Sequence, residues 1–515
     1  MRKILTDGLV LAVTMLVCLV AAEGVTRLVD GLPLAATTLP AAYGGGLGQD
    51  TTSEHLDEIP RAASVKREWF FTEPPPLPNR HAVPEEWLAL NRQMEERGPL
   101  ASGFRPVDMF KAWNSAFVGD PCDRDFFADA PGQLYLFDPP DGDKLPPYRF
   151  LPDATTPAGL VTNQFGWRGP PVKFARSPNS VRIVFVGAST TAGPHQFIYS
   201  LPELVAHWLD LWSAAQRPDI RFEVMSAARE SLNSTSIEAV VRQEVAPVRP
   251  DLVIYYEGGN QFRLDSVIRD MPEATAAPRL KAPEGLTAWL QDASRHSAIA
   301  RRLQSLMGFE GLSEGGRELP KPDYAIDWPQ GLDEKDPDLS YPELPVNLNT
   351  ILSDFDRMRA DLAPVGGELA LSSFVWMVKD GMVLNPIRNK VLWENLNFNY
   401  FPYRYRDIER FAAFQNRVLA KYAAAHRLPF IDVAGRMPAD PDLFADAVHD
   451  GWAGMRLKAW VVLQQLVPII EQRLASGAWP KPLPEPPMGD VHPAFVKPPH
   501  KITFKCGTAK HGKGA

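Results

Sequence analysis

The sequence predicts an α/β fold built on one parallel sheet of five strands, with helices covering both faces. Short apolar runs rich in β-branched residues alternate with amphipathic helical segments from Val181 onward, and the first of these runs ends at a glycine. Runs of this kind are typical of strands that are buried on both faces of a sheet. Their alternation with helices makes neighbouring strands parallel.

The strands and helices follow one another along the chain. The strands are expected at residues 181–187, 221–226, 252–256, 368–374 and 428–433. The helices between them are expected at residues 201–215, 236–245, 348–362 and 408–426. A long closing helix is expected at residues 453–474, with Leu457, Trp460, Leu463, Leu466 and Val467 on one side and a kink at Pro468.

This alternation predicts one domain over residues 161–475, with an insert at residues 262–345. The insert is expected to be helical near residues 286–306 and lies where insertions often shape substrate sites. We interpret the proline-rich residues 30–160 as an irregular arm packed on the domain, with helices at 84–96 and near Phe110; a flexible stalk is the alternative. The proline-rich tail at residues 476–515 is expected to be mobile.

The composition excludes some classes of function. The chain has 515 residues, of which 45% are apolar and 23% charged, as expected of a globular protein. Its net charge of −8 argues against a nucleic-acid partner, because phosphate backbones favour basic surfaces. The three cysteines, Cys18, Cys122 and Cys506, have no zinc-binding spacing, and we expect no metal or other cofactor. Cys122 and Cys506 either pair in an oxidising compartment or stay free, and the sequence favours neither.

The N-terminus has the pattern of an export signal. Arg2 and Lys3 precede an uncharged run at residues 8–22, and Glu23 and Arg27 follow it. The run is shorter than the roughly 20 residues of a comfortable membrane span. Cleavage after the run is one reading, but the apolar pattern continues past Glu23, which favours a retained signal anchor over residues 1–29. We therefore expect a bacterial inner-membrane protein with its body in the periplasm or outside.

Residues suited to nucleophilic catalysis follow the predicted strands, where active sites of parallel sheets lie. Ser189 stands between small residues after the first strand, and Asn260 follows two glycines after the third. Asp446 and His449 lie three positions apart before the closing helix. A serine nucleophile needs a base, and the base needs a carboxylate to orient it. These residues can supply all three groups.

The glycine-x-serine, glycine-x-asparagine and Asp-x-x-His blocks, in this order, resemble the SGNH/GDSL hydrolase superfamily. The segment at residues 162–169 (TNQFGWRG) is similar to the lead-in of a bacterial membrane-anchored branch. The resemblance implies a flavodoxin-like three-layer α/β/α sandwich, with Ser189 as nucleophile, His449 as general base and Asp446 as its orienting partner. It also implies an oxyanion hole formed by the backbone N–H groups of Ser189 and Ser231 and by the Asn260 amide.

Three positions depart from the family pattern. Ala188 replaces the aspartate that usually precedes the nucleophile, and Gln261 replaces the aspartate that usually follows the asparagine. Ser231 stands where the oxyanion-hole glycine is usual, and its Cβ restricts the turn. The departures at Ala188 and Ser231 motivate a catalytically silent envelope scaffold as one alternative.

Simpler interpretations exist for each candidate residue. Ser189 alone could be a turn or cap serine, and His449 alone a surface histidine. His195 is a rival base that lacks a carboxylate of its own, so we expect it to be at most a substrate-loop residue. Asn163 and Arg168 are expected to hold the lead-in loop rather than contact substrate. Four aspartates could suggest a calcium site, but a solvated acidic turn is the simpler interpretation: Asp440, Asp442, Asp446 and Asp450. Six aromatic residues could form a sugar-stacking platform, but a set of buried loop aromatics is the simpler interpretation: Trp393, Phe398, Tyr400, Phe401, Tyr403 and Tyr405.

The first function hypothesis is an esterase or carbohydrate deacetylase that passes an acyl group from Ser189 to water, although the triad alone does not separate hydrolysis from acyl transfer. An O-acyltransferase that passes it to a cell-surface polysaccharide would use the same triad. The expected substrate is therefore an acyl ester or an acylated carbohydrate. The sequence identifies no substrate-binding residue.

Overall fold

The computed structural model describes residues 2–29, 55–83, 152–156, 160–173, 175–193, 199–271, 296–307, 316–385 and 389–482, with a few isolated positions between them. The predicted helices at 84–96 and near Phe110, most of the tail, His195, Cys122 and Cys506 lie outside the described residues. Cys18 is exposed and unpaired.

A five-stranded parallel sheet forms the centre of the molecule, as the sequence predicts. Its strands are β1 (Ser180–Gly187), β2 (Arg221–Ser226), β3 (Leu252–Tyr256), β4 (Glu368–Ser372) and β5 (Phe430–Ile431). They pair in the order β2-β1-β3-β4-β5, and every pairing is parallel. β2 lies on one side of β1 and β3 on the other, so the order of the strands switches at this point. Sheets of this order bind ligands at the carboxyl ends of those two strands.

Helices cover the sheet, and β1 and β3 are buried along their whole length as a result. The helices are α1 (Arg2–Val29), α2 (Ser189–Ala192), α3 (Leu201–Gln216), α4 (Ser234–Val240), α5 (Ala298–Met307), α6 (Leu348–Leu362), α7 (Lys390–Glu394), α8 (Tyr405–Ala425) and α9 (Trp452–Ala475). One group pairs α3 with α9, and a second group joins α4, α6 and α8.

Short elements complete the described chain. Antiparallel two-residue ladders join Tyr135–Leu136 to Arg149–Phe150 and Ile268–Arg269 to Ala325–Ile326. The 3₁₀ turns are Arg67–Phe71, Ala246–Val248, Asp265–Val267, Ala363–Val365 and Pro441–Leu443, and the π-helical turns are Val241–Val245 and Asn395–Asn399.

Several predicted elements differ in extent from the observed ones, and the last strand and the helix after β2 show the physical reason. The last strand ends at Ile431 because the Asp432 carboxylate accepts hydrogen bonds from Ser373 Oγ at 2.7 Å and from the Gly435 N–H at 3.0 Å, which turns the chain. The helix predicted at residues 236–245 starts earlier, since the Asn233 side chain caps its first turn. From Val241 it widens into a π-helix.

The described part of the N-terminal arm packs on the main domain. Phe70 is buried and its ring stacks on Trp208 of α3 at a centroid distance of 6.0 Å. Arg456 of α9 donates through Nε to the Phe70 carbonyl at 2.8 Å, and the Ala62 N–H donates to Gln464 Oε1 at 2.8 Å. Residues 55–83 therefore follow the packed-arm interpretation rather than that of a stalk.

The N-terminal helix α1 contacts the insert through charged side chains. The Glu23 carboxylate accepts hydrogen bonds from Ser297 Oγ at 2.8 Å and from the Ala298 N–H at 2.7 Å, at the start of α5. Arg27 donates to the His296 carbonyl at 2.7 Å. Within the described residues, no helix has the length and apolar character needed to cross a membrane.

Candidate active site

The first candidate residue, Ser189, begins helix α2 directly after β1, so its N–H belongs to the first turn and has no partner within the helix. The turn is tight. A Cβ at Gly187 would collide with Thr191 Oγ1 and with the Tyr256 carbonyl, so only glycine fits there. Thr191 Oγ1 donates to that same carbonyl at 2.6 Å and ties α2 to β3.

Ser189, His449 and Asp446 form one hydrogen-bonded chain. Ser189 Oγ lies 2.7 Å from His449 Nε2, and His449 Nδ1 lies 2.9 Å from Asp446 Oδ2. If Nε2 accepts the serine proton, Nδ1 must carry the ring hydrogen and donate it to the carboxylate. Asp446 Oδ1 also accepts from the backbone N–H groups of Val448 at 3.0 Å and His449 at 2.9 Å, which holds the carboxylate against the ring nitrogen.

The loop that carries the base is held from two sides. The Ala445 N–H donates to the His449 carbonyl at 2.8 Å, which closes the loop on itself. The Met377 N–H donates to the Ala447 carbonyl at 2.7 Å, and the Ala447 N–H donates to Asn395 Oδ1 at 3.1 Å. The imidazole is therefore placed by backbone contacts as well as by Asp446.

The three predicted oxyanion donors differ in their surroundings. Ser231 has a φ of 60°, so the turn requires a left-handed conformation even though serine replaces the usual glycine. Asn260 Nδ2 donates to the Leu232 carbonyl at 2.8 Å. An amide nitrogen carries two hydrogens, so this bond orients Asn260 and leaves the second hydrogen to donate elsewhere.

A buried carboxylate that sequence reasoning missed organises the turn before Asn260. Glu257 accepts hydrogen bonds from the N–H groups of Gly258 at 2.7 Å, Gly259 at 3.0 Å and Asn260 at 2.6 Å. Burial raises the pKa of Glu257, while these three N–H groups act in the opposite direction. The signal was present in the sequence as an acidic residue directly after a buried strand and before two glycines.

The lead-in segment holds the end of the nucleophile helix. Arg168 is buried and donates through Nη1 to the carbonyls of Ala192 at 3.0 Å and Gly193 at 3.2 Å. Its Nε lies 3.2 Å from Glu203 Oε2. Burial lowers the pKa of Arg168, and Glu203 opposes that shift. Asn163 Oδ1 accepts from the Phe165 N–H at 2.9 Å, so both residues hold loops, as expected from the sequence.

The acidic turn is only partly solvated, which corrects the sequence-based interpretation. Asp450 is buried and paired with Lys458 of α9, whereas Asp440 Oδ2 meets His55 Nε2 at 2.8 Å. Among the described residues, no group of His, Cys, Asp or Glu side chains is arranged to hold a metal ion.

The predicted aromatic cluster is mainly a packing element. Trp393 and Tyr405 are buried in the core. Three further members pack against that core while partly buried, namely Phe398, Tyr400 and Tyr403. This agrees with the expectation of buried loop aromatics rather than a sugar-stacking platform.

Comparisons with known proteins give distant structural similarities. No family model matches the chain, and no curated protein matches it. A GDSL-like lipase from Bacteroides thetaiotaomicron VPI-5482 is 12% identical, over 56% of this chain and 88% of that one, with a TM-score of 0.28. A lipase/acylhydrolase from Enterococcus faecalis is 15% identical over 56% and 95%, with a TM-score of 0.29. The acetylxylan esterase Axe2 from Geobacillus stearothermophilus is 14% identical over 56% and 96%, with a TM-score of 0.30. These TM-scores are too low to transfer a property of the three proteins to this chain. The chemistry of the site is therefore inferred from its own geometry.

Proposed function

We propose that this chain is a serine hydrolase of the SGNH/GDSL type that cleaves acyl esters through a covalent acyl-enzyme on Ser189. The single observation that carries the proposal is the hydrogen-bonded order Ser189–His449–Asp446, with 2.7 Å between Oγ and Nε2 and 2.9 Å between Nδ1 and Oδ2. Nucleophile, base and orienting carboxylate are thus within reach of one another at the carboxyl end of β1.

Acylation follows from this geometry. Ser189 Oγ attacks the ester carbonyl carbon while His449 Nε2 takes the hydroxyl proton, and the carbonyl π electrons move to oxygen to form a tetrahedral oxyanion. Asp446 keeps the ring oriented and stabilises the imidazolium without taking the proton itself. When the oxyanion collapses, the bond to the leaving alcohol breaks, and His449 returns the proton to that alcohol. The acyl group stays on Ser189 Oγ as an ester.

Deacylation repeats the same steps with water. His449 takes a proton from the attacking water, the second tetrahedral intermediate collapses, and Ser189 leaves as the protonated hydroxyl with release of the carboxylic acid. The oxyanion of both intermediates would be met by the Ser189 N–H and the Asn260 amide, with the Ser231 N–H as third donor. The left-handed turn at Ser231 presents the backbone in the conformation that a glycine would adopt there. This supports an active enzyme over a silent scaffold.

The acceptor and the acyl group are tested by one experiment. Purified full-length protein is treated with a fluorophosphonate probe and then assayed on esters of increasing acyl length and on acetylated sugars, with and without an added polysaccharide acceptor. Hydrolysis with water as acceptor is the expected result. If the acyl group were transferred to the polysaccharide instead of being released as free acid, the protein would be an O-acyltransferase rather than a hydrolase. Absence of both labelling and turnover would contradict the proposal.

We further propose that the protein resides in the bacterial cell envelope, attached at the inner membrane through an uncleaved N-terminal helix. Residues at successive positions of α1, among them Val10, Leu16 and Val20, are exposed, and Arg2 and Lys3 precede them. Residues 8–22 of this helix carry no charge, and a helical stretch that presents apolar side chains on all sides is more stable in an apolar surrounding. Glu23 and Arg27 bind the insert, which supports retention of the helix after export.

Cys18 provides a test of this location. It is exposed on α1 and can be alkylated by a maleimide in a variant in which Cys122 and Cys506 are replaced by serine. In membrane vesicles, Cys18 should react only after detergent is added. A cysteine in place of Val383, which is 59% exposed on the main domain, should react in both conditions when the vesicles are open. Equal labelling of Cys18 with and without detergent would contradict membrane attachment through α1.

A further inference from the structure

A buried lysine lies beneath the candidate active site. Lys458 is in the second turn of α9 and its side chain has no solvent exposure. Its Nζ forms an ion pair with Asp450 Oδ2, donates to the Thr190 carbonyl at 3.3 Å and lies 4.9 Å from the centre of the Tyr256 ring. Burying a cation is costly unless its partners are well placed, so this position is a demanding one for a lysine.

Each of the three contacts belongs to a different catalytic segment. Thr190 is the residue after the nucleophile Ser189, and Asp450 is the residue after the base His449. Tyr256 ends β3 and is followed directly by Glu257, which organises the turn to Asn260. One nitrogen atom therefore touches the nucleophile turn, the base loop and the oxyanion strand at the same time.

We propose that Lys458 is a positioning residue that sets the relative placement of Ser189, His449 and Asn260. The proposal rests on the proposed function, since it assigns Lys458 a role in that same site. Because Lys458 lies on the closing helix, it also couples the placement of the catalytic groups to the packing of α9 on the sheet. Misplacing reacting groups by about 1 Å can cost roughly 10²-fold in rate.

The same contact balances charge around the base. Three carboxylates lie near His449: Asp446 on the same loop, Asp450 directly after the histidine, and Glu257 directly after β3. Their charges interact with that of the histidine or with one another. Burial raises the pKa of Asp450, and Lys458 opposes the shift. Asp450 Oδ1 is buried and has no hydrogen-bond partner among the described residues. The ion pair of Oδ2 with Lys458 is therefore the main compensation for the buried charge of Asp450. Without Lys458, Asp450 would stay ionised beside His449 or take up a proton.

The variants Lys458→Met and Lys458→Met/Asp450→Asn separate positioning from stability. The single variant leaves a buried carboxylate without its cation and is expected to melt at a lower temperature. The double variant has no unpaired charge, so its melting temperature should recover. However, it still lacks the link to the Thr190 carbonyl. Its kcat and its rate of fluorophosphonate labelling should therefore remain at least about tenfold below the wild type, with KM changed little.

Two further readouts complete the test. In Lys458→Met, the acid limb of the kcat/KM profile should move relative to the double variant, because only the single variant retains Asp450. Gln464→Met alters a buried polar residue on the same helix that bonds to the arm, and it should leave kcat unchanged. A stable double variant with wild-type kcat and labelling rate would overturn the role of Lys458. If the wild type itself neither labels nor turns over, the proposed function fails instead.

Discussion

The Asn260 side chain donates a hydrogen bond to the Leu232 carbonyl at 2.8 Å and so joins the turn after β3 to the turn that contains Ser231. Two of the three expected oxyanion donors are thereby held in one piece of structure. Glu257 secures the Asn260 end of this piece through its bonds to three successive N–H groups. The oxyanion site thus depends on contacts between residues far apart in sequence.

Removing the Asn260 amide should slow the chemistry without unfolding the protein. Asn260→Ala deletes one oxyanion donor, and we expect kcat to fall by about 10²-fold or more. Labelling of Ser189 by fluorophosphonate should persist at a reduced rate, because the nucleophile and base remain. Asn347→Ala is the control, since Asn347 is exposed and its side chain has one described hydrogen bond, to the Gln261 carbonyl. Equal kcat for Asn260→Ala and wild type would remove Asn260 from the oxyanion hole.

Replacing Ser231 by glycine should relieve backbone strain. A side chain in the left-handed region costs about 1–2 kcal/mol of folding free energy. Glycine avoids this cost, but it loses more conformational entropy on folding, which offsets part of the gain. Ser231→Gly should therefore stabilise the fold by up to about 1 kcal/mol and keep or raise kcat. Ser231→Ala retains the Cβ and should give no such gain. Chemical denaturation and ester turnover measure both effects, and a destabilised glycine variant would show that the Ser231 side chain is needed.

Arg168 in the lead-in segment should contribute strongly to the stability of the fold. Arg168→Met leaves the buried Glu203 without its ion-pair partner and removes the bonds to the Ala192 and Gly193 carbonyls. Loss of one member of a buried pair costs about 3–5 kcal/mol. The exposed pair of Arg217 with Asp219 provides the control, because Arg217→Met should leave the melting temperature unchanged. Equal melting temperatures of the two variants would contradict a stabilising role for the bonds of Arg168 to the end of α2.

The attachment of the arm should depend on pH through His55. Burial lowers the pKa of His55, but hydrogen bonds to Asp440 and Glu58 outweigh it and raise the pKa above 6.5. A raised pKa means that the folded state binds the proton more tightly. The stabilisation is therefore complete below about pH 6.5, the unfolded value, and is lost as pH rises through the folded value. The melting temperature should fall more between pH 6 and pH 8.5 for wild type than for His55→Gln. An equal fall in both proteins would contradict a stabilising role for protonated His55.

The sequence predicts the sheet well because its strands are buried on both faces and end at recognisable turns. Gly187 illustrates this, since its close approach to Thr191 and Tyr256 fixes where Ser189 must begin its helix. Ser189, Asp446 and His449 could be singled out because each follows a predicted element and their chemistry requires one another.

The contacts that hold the site could not be predicted in the same way. Lys458 occupies a position on α9 that periodicity alone assigns to a helix surface or a core, and only the packing brings it to Asp450 and Thr190. The bond between Asn260 and Leu232 likewise joins residues 28 positions apart through the folded sheet. Such contacts depend on tertiary placement rather than on local pattern.

Covalent labelling of Ser189 tests the central claim most directly. Full-length wild type, Ser189→Ala and His449→Ala are each treated with a fluorophosphonate, and the adduct is located by mass spectrometry of the digested protein. The account predicts one adduct, on the peptide that contains Ser189, no adduct in Ser189→Ala and a greatly slowed reaction in His449→Ala. Labelling of folded Ser189→Ala at the wild-type rate, or an adduct on a different serine, would contradict the proposed nucleophile and the triad with it.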